Sequence, residues 1–252
     1  MTESPIPSAV SRPVEGSDAV VVLRNAVKRF GATTALAGAS LTIERGESVG
    51  LLGRNGAGKS TVVKILTGLY SLDEGTLEIA GEPAPPLAAR RDWLSTVSCV
   101  YQHRTLVPQL SVAENLFLGS YGPDKRIVNQ RTLRRRAQEQ LERWEIPIDP
   151  RTMAADLGVG EGQMVEIVRA LAGGTRFVIL DEPTAQLVSS EIDTLIEHVN
   201  ALRAKGVSFL YISHHLDEVP EVCDSVVVLR NGKDVLSSPL QQTSMSAIVG
   251  AM

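Results

Sequence analysis

Residues 50–61, GLLGRNGAGKST, set Gly53, Gly58, Lys59 and Ser60 at the spacing G-x-x-x-x-G-K-[ST]. Each residue type in that pattern suits the holding of a polyphosphate. Glycines let the backbone wrap an anion with no Cβ in the way. The amides of Asn55, Gly56, Ala57, Gly58, Lys59 and Ser60 can then turn inward as a nest, and the positive end of a helix starting near Lys59 adds to the field. Lys59 reaches the β and γ phosphates, and the Ser60 hydroxyl faces the Mg²⁺ that a nucleotide brings with it. Arg54 and Thr61 complete the loop.

A second chemical group lies at FVILDEP, residues 177–183, where four apolar residues end in two carboxylates. Ligands of parallel α/β sheets bind at such strand ends. Asp181 can hold the Mg²⁺ shell opposite Ser60, and Glu182 is free to orient and polarise a water. Four weaker signals accompany it. Phe30 could stack on an adenine ring, although an aromatic between strands is also ordinary core. Gln102, at the end of VSCVYQ, could meet a metal-bound water or simply face solvent. His214, at the exit of the apolar run VSFLYI, could touch a γ-phosphate or be structural. The glycine-rich LGVGEG of residues 157–162 reads as a turn ahead of a helix over 163–171, a weak anion site by itself.

These groups need strands that run into loops and helices. Apolar runs at 47–52, 97–102, 177–180 and 207–212 predict buried strands, and 61–67 continues as a helix from the phosphate loop. Strand-like runs at 20–23 and 40–43 flank RFGA, residues 29–32, and a strand over 76–80 follows a turn at 73–75. Leu133, Ala137, Leu141 and Trp144 form one helical stripe, and the arginines and glutamates around them form a solvated face. Ile192, Leu195, Ile196, Val199 and Leu202 form another stripe. Residues 225–236 read as a hairpin with an Asn231-Gly232 turn.

The 252 residues, 43% of them hydrophobic, suit one large core with a smaller lobe. A net charge of −4 gives no reason to expect nucleic acid as a partner. Cys99 and Cys223 lack metal-ligand spacing and read as reduced core thiols of a cytosolic protein. Residues 1–18, rich in Ser, Pro and Glu, read as a disordered tail without signal-peptide character. No run approaches the roughly 20 apolar residues that span a bilayer, so a membrane role would come through a partner.

Taken together, the motifs resemble those of the ATP-binding cassette family over residue 20 to the end. The resemblance gives Phe30 the adenine-stacking place, Gly53 to Thr61 the Walker A loop, Gln102 the Q-loop, Asp181 and Glu182 Walker B with its catalytic glutamate, and His214 the switch histidine. It implies a P-loop NTPase domain of α/β class, with a RecA-like α/β core, an antiparallel β subdomain and an α-helical subdomain at about 103–172. Within the family, YQHRTLVPQLSVAENLFLG (101–119), QMVEI (163–167) and ISHHLDEV (212–219) are similar to the ATPases of bacterial monosaccharide importers, and to the N-terminal cassette where two lie in tandem.

That resemblance implies ATP and Mg²⁺ as ligands, with Ser60, Gln102 and Asp181 at the metal. The implied partners are a membrane permease, a second cassette and, indirectly, an extracytoplasmic solute-binding protein. The implied place is the cytoplasmic face of the membrane. Two departures stand out. The family signature LSGGQ is LGVGE here, so Gly158, Val159, Gly160 and Glu161, which would cover a partner's nucleotide, lack the serine hydroxyl and carry an acid. The usual aspartate of the following D-loop is absent from AQLV, residues 185–188. The rival readings are a non-transport cassette and a regulatory cassette with weak hydrolysis. A phosphate-loop GTPase would need an Asn-Lys-x-Asp motif, which the chain lacks.

Overall fold

Apolar runs of two kinds build this chain, and their difference decides what covers each sheet. The structure, a computed structural model, describes residues 18–102, 104–118 and 129–252. Its strands are β1 (Ala19–Phe30), β2 (Thr33–Glu44), β3 (Ser48–Leu52), β4 (Glu74–Ile79), β5 (Glu82–Pro83), β6 (Val97–Val100), β7 (Phe177–Asp181), β8 (Ser208–Ile212), β9 (Ser225–Arg230) and β10 (Lys233–Pro239). Its helices are α1 (Lys59–Leu66), α2 (Arg90–Thr96), α3 (Val112–Leu116), α4 (Gln130–Arg143), α5 (Val159–Ala172), α6 (Ser189–Ala204), α7 (Val219–Val222) and α8 (Met245–Ala251).

Uninterrupted runs give the central sheet, ordered β10-β9-β3-β8-β7-β6. From β9 to β6 its neighbours pair in parallel, and β10 joins antiparallel at one edge. Every residue of β3 and β8 is buried, as a parallel strand covered on both faces requires. Alternation along β7 sends Val178 and Leu180 to one face, against α3 to α8, and Phe177 and Ile179 to the other, against α1 and the second sheet. Each large apolar side chain so buried contributes about 1.5–3 kcal/mol.

The second sheet is antiparallel, ordered β2-β1-β4-β5. In β2, Leu41 and Ile43 are buried while Thr42 between them is exposed, the pattern of a sheet covered on one face. Its hairpin is longer than the apolar runs 20–23 and 40–43 predict. Residues 24–30 are mostly polar, yet they stay in the ladder through pairing with β2 and through the Lys28–Asp73 and Arg29–Glu74 ion pairs. Phe30 therefore closes a strand, where the sequence placed it between strands.

On the helical side, α3 packs against α4 and α5. The α4 stripe falls as expected, with Leu133, Ala137, Leu141 and Trp144 all buried. Leu141→Ala would open that contact at a cost of about 2–5 kcal/mol. One expectation fails here: α5 begins at Val159, four residues earlier than the predicted start at Gln163, so Gly160 and Gly162 lie inside the helix. The Glu161 carboxylate accepts the Gly158 N–H at 2.9 Å and closes that end, which offsets the poor helix propensity of the glycines.

Of the expected N-terminal tail, residues 1–17 lie outside the described residues. Asp18 belongs to the fold instead, since its carbonyl accepts the Arg45 N–H at 3.0 Å and its carboxylate pairs with Arg45 at 2.7 Å.

Candidate active site

The parallel order β9-β3-β8-β7 brings the C-terminal ends of β3, β7 and β8 to one edge, and each exits into a chemically equipped loop. Beyond β3, Gly53 has φ +145°, and a Cβ there would stand 2.3 Å from the Leu229 carbonyl oxygen. Gly58 has φ +114°, and its Cβ would come within 2.9 Å of the Ala35 carbonyl oxygen. Only glycine fits either place. The back of the loop is stapled to the β9–β10 turn, with Gly232 N–H donating to the Ala57 carbonyl at 2.9 Å and Ala37 N–H to the Gly232 carbonyl at 2.8 Å. The front at Gly56 is open. Helix α1 starts from Gly58 without a side-chain cap and has no acidic residue in its first turn, so its positive end is left for an anion. That cradle fits a nucleotide polyphosphate.

Lys59 is half-buried and donates to the carbonyls of Gly53 at 2.5 Å and Arg54 at 3.3 Å. Burial pulls its ammonium below the usual lysine range, and the nearby Glu182 and Asp181 carboxylates oppose that shift. Asp181 shows the mirror image. Burial, then Glu182, raises its carboxyl, and Lys59 opposes. The three side chains thus share one electrostatic site, although 122 positions separate Lys59 from Asp181 in the sequence. Ser60 begins α1 beside Lys59, so Ser60 and Asp181 are suited to a hard divalent cation whose other ligands come from phosphate and water.

Glu182 has φ +51°, a left-handed backbone that costs a non-glycine residue about 1–2 kcal/mol. Its N–H donates to the Ile212 carbonyl at 2.8 Å, which ties the β7 exit to the end of β8. One carboxylate oxygen, Oε1, lies 3.5 Å from Nδ1 of His214, whose ring is half exposed. Gln102 stands two residues past the end of β6, exposed, and lines a small cleft that Glu182 and Val159 also line. Of the 158–161 segment, Val159 borders the cleft that Gln102 and Glu182 line. Among the described residues no cluster of three or more His, Cys, Asp or Glu could hold a metal ion on its own. A surface groove between α4 and residues 145–151 is lined by none of these groups.

Phe30 is 42% exposed, unlike a core aromatic, and meets Tyr70 edge-on with ring centroids 5.1 Å apart. Lys28 Nζ lies 5.7 Å from the centroid of the Phe30 ring. Sequence reasoning missed Tyr70, which nothing but its place just after the phosphate-loop helix could have flagged. It also missed Arg104, whose guanidinium donates to the carbonyls of Leu157 and Gly158 across the start of α5. A Cβ at Gly162 would come within 2.8 Å of that guanidinium, so a larger residue there would make the arginine shift. Of the two expected core thiols, Cys223 is buried and Cys99 is half-buried, packed against the core.

A three-layered fold with a glycine cradle, a strand-end carboxylate pair and a histidine across from it defines a phosphate-loop nucleotide-binding domain. Residues 36–185 match the family described as "ABC transporter", and the chain belongs to that family. It is 39% identical over 236 residues to a galactose/methyl galactoside import ATP-binding protein of Treponema denticola, covering 94% of this chain and 48% of that protein. It is 44% identical over 211 residues to a ribose import ATP-binding protein of Rubrobacter xylanophilus, covering 84% of this chain and 42% of that one. The chain therefore spans about half the length of the curated relatives it matches. Among solved structures, the ADP conformation of an ATP-binding cassette of an ABC transporter superposes with a TM-score of 0.80 at 26% identity, covering 92% of this chain and 98% of that one.

Proposed function

We propose that this chain is a cytoplasmic ATP-binding and ATP-hydrolysing cassette that energises uptake of a monosaccharide through a separate membrane permease. The observation that carries the hydrolytic reading is the convergence of Lys59, Asp181, Glu182 and His214 from the ends of β3, β7 and β8. Similarity to galactose and ribose import ATP-binding proteins supports the sugar, and the permease is part of the proposal because import needs a path through the membrane. Among the described residues no helix is long and apolar enough to cross a membrane, so a separate membrane subunit fits the reading.

In this reading the amides of residues 55–60 and the Lys59 ammonium hold the phosphates, and Phe30 stacks on the base. Ser60 and Asp181 would hold Mg²⁺, with Gln102 at a metal-bound water, and the ion supplies charge neutralisation at the phosphates when bound. Glu182 orients and polarises the attacking water, and His214 fixes the carboxylate and contacts the γ-phosphate side. Residues of about 103–172 act as the helical subdomain. Gly158, Val159, Gly160 and Glu161 face the nucleotide of a second cassette, and a solute-binding protein outside the membrane delivers the sugar. Calorimetry with Mg-ATP tests the cradle. Lys59→Ala is expected to abolish measurable binding, and unchanged affinity would overturn the assignment.

A further inference from the structure

The loops that carry Glu182 and His214 are joined below the site by a group that the hydrolytic reading does not use. Glu218 lies five residues after Ser213, at the start of α7, and is 8% exposed. Its Oε2 accepts three hydroxyls: Tyr211 at 2.7 Å, Thr184 at 2.9 Å and Ser213 at 3.3 Å. Thr184 follows Glu182 by two residues, and Ser213 immediately precedes His214. Tyr211 is a fully buried β8 residue, so the sheet itself anchors the carboxylate. Burial, and then the Glu218 carboxylate, pushes the Tyr211 hydroxyl well above its ordinary range, which keeps it a donor.

Each contact acts on a residue that needs support. Glu182 holds a left-handed φ, which persists only where surrounding structure over-determines it. Its amide is fixed by the Ile212 carbonyl, and the chain two residues on is fixed by the buried Thr184 hydroxyl on Glu218. On the other loop, Ser213 Oγ accepts the His215 N–H at 2.9 Å, so one hydroxyl pins the turn that presents His214 and links it to Glu218. All three hydroxyls converge on Oε2, so an amide at this position keeps an acceptor for them but loses the charge that strengthens each bond. Charge-assisted bonds of this kind are among the stronger ones in a folded chain.

We infer that Glu218 is a positioning residue for ATP hydrolysis, a buried carboxylate that clamps the Thr184 and Ser213 loops and thereby sets the 3.5 Å approach of His214 to Glu182. The inference rests on the hydrolytic reading above. A purely structural role would lower stability and ATP affinity together, whereas a positioning role lowers turnover at unchanged affinity.

The test compares the full chain with Glu218→Gln, Thr184→Val and Glu182→Gln in steady-state phosphate release, ATP binding and thermal melting. Expected is a kcat lowered about tenfold or more in Glu218→Gln, with KM and the ATP dissociation constant within about twofold of the unmutated chain. Thr184→Val, which removes one clamp bond without disturbing the carboxylate, should show a smaller loss of the same kind and keeps the test open if Glu218→Gln folds poorly. In the Glu182→Gln background, Glu218→Gln should lower the residual rate no further, because a positioning residue acts through the group it positions. Unchanged kcat in both Glu218→Gln and Thr184→Val, beside Glu182-dependent hydrolysis in the unmutated chain, overturns the clamp and leaves the hydrolytic reading standing. Equal losses of affinity and turnover overturn it in favour of a structural role. Hydrolysis that ignores Glu182→Gln overturns both.

Discussion

Restoring a serine at Gly158 is the most informative single change on the face proposed to cover a second cassette, and the structure predicts that it disappoints by itself. Gly158 has φ −58° and ψ 167°, extended backbone that serine adopts freely, so the substitution is tolerated and improves the α5 cap by a few tenths of a kcal/mol. The hydroxyl is then worth about 1.5–3 kcal/mol to an anion it reaches. Two faces close in a head-to-tail pair, giving about 3–6 kcal/mol, or roughly 10²–10⁴-fold in the dimer dissociation constant. A competing acceptor stands in the way. At α3 the same three-residue spacing, Ser111 to Glu114, already forms a closed box: Ser111 N–H donates to Glu114 Oε2 at 2.8 Å, and Ser111 Oγ donates to the same oxygen at 2.7 Å. Gly158 N–H donates to Glu161 Oε2 at 2.9 Å in the same manner, and a Cβ at Gly158 would sit 3.4 Å from that oxygen. A serine at this position would give its proton to Glu161. Gly158→Ser alone is therefore expected to tighten ATP-driven self-association less than about tenfold, and Gly158→Ser with Glu161→Gln to recover the rest. Light scattering and sedimentation of both in a Glu182→Gln background, with and without Mg-ATP, read the effect. A full gain from the serine alone, or none from the double substitution, refutes the reasoning. So does a tight ATP-dependent homodimer of the chain without either change.

The remaining predictions are smaller in scope. Phe30→Ala should weaken ATP binding by about 1–3 kcal/mol with little change in melting temperature, because the ring is exposed; equilibrium titration checks this, and loose discrimination between ATP and GTP should accompany it. Gly53→Ala should cost at least about 2 kcal/mol of stability in thermal or urea unfolding, since its Cβ meets the Leu229 carbonyl oxygen and its φ is +145°. Burial and then the Asp181 charge push the Cys99 thiol up to about 12, and burial does the same for Cys223. Alkylation of native Cys99 near pH 8 should consequently run roughly a thousandfold slower than for an unperturbed thiol and keep rising past pH 9 without a plateau. With folded-state values raised above those of the unfolded chain, the two thiols favour the fold below about pH 9, and that contribution is lost as pH climbs toward 12.

Much of this site is legible in the sequence because parallel strands buried on both faces must be written as unbroken apolar runs. That is why β3, β7 and β8, and the loops at their ends, stand where SVGLL, FVILD and SFLYI place them. The glycine loop reveals itself through spacing, and the α4 stripe through its period. Phe30, Gln102 and His214 are single residues whose chemistry is ambiguous alone, and only the order of the whole motif set distinguishes them. Other features depend on contacts that sequence does not display. The polar end of β1 is held by ion pairs to Asp73 and Glu74, more than 40 positions away. The start of α5 was misread because glycines suggest a turn, whereas a carboxylate three residues on and an arginine from the 102–105 segment stabilise a helix there. Glu218 looks like any surface glutamate ahead of a short helix until Thr184, 34 positions earlier, is seen beneath it.

The central claim is that Glu182 activates the attacking water while the cradle around Lys59 holds ATP. The most direct test is Glu182→Gln in the full chain, with ATP binding measured by calorimetry and phosphate release followed at high protein concentration against Lys59→Ala as the background. The account predicts an ATP affinity within a few-fold of the unmutated chain and a hydrolysis rate lowered about 10²–10⁴-fold. Hydrolysis unchanged by Glu182→Gln would contradict it.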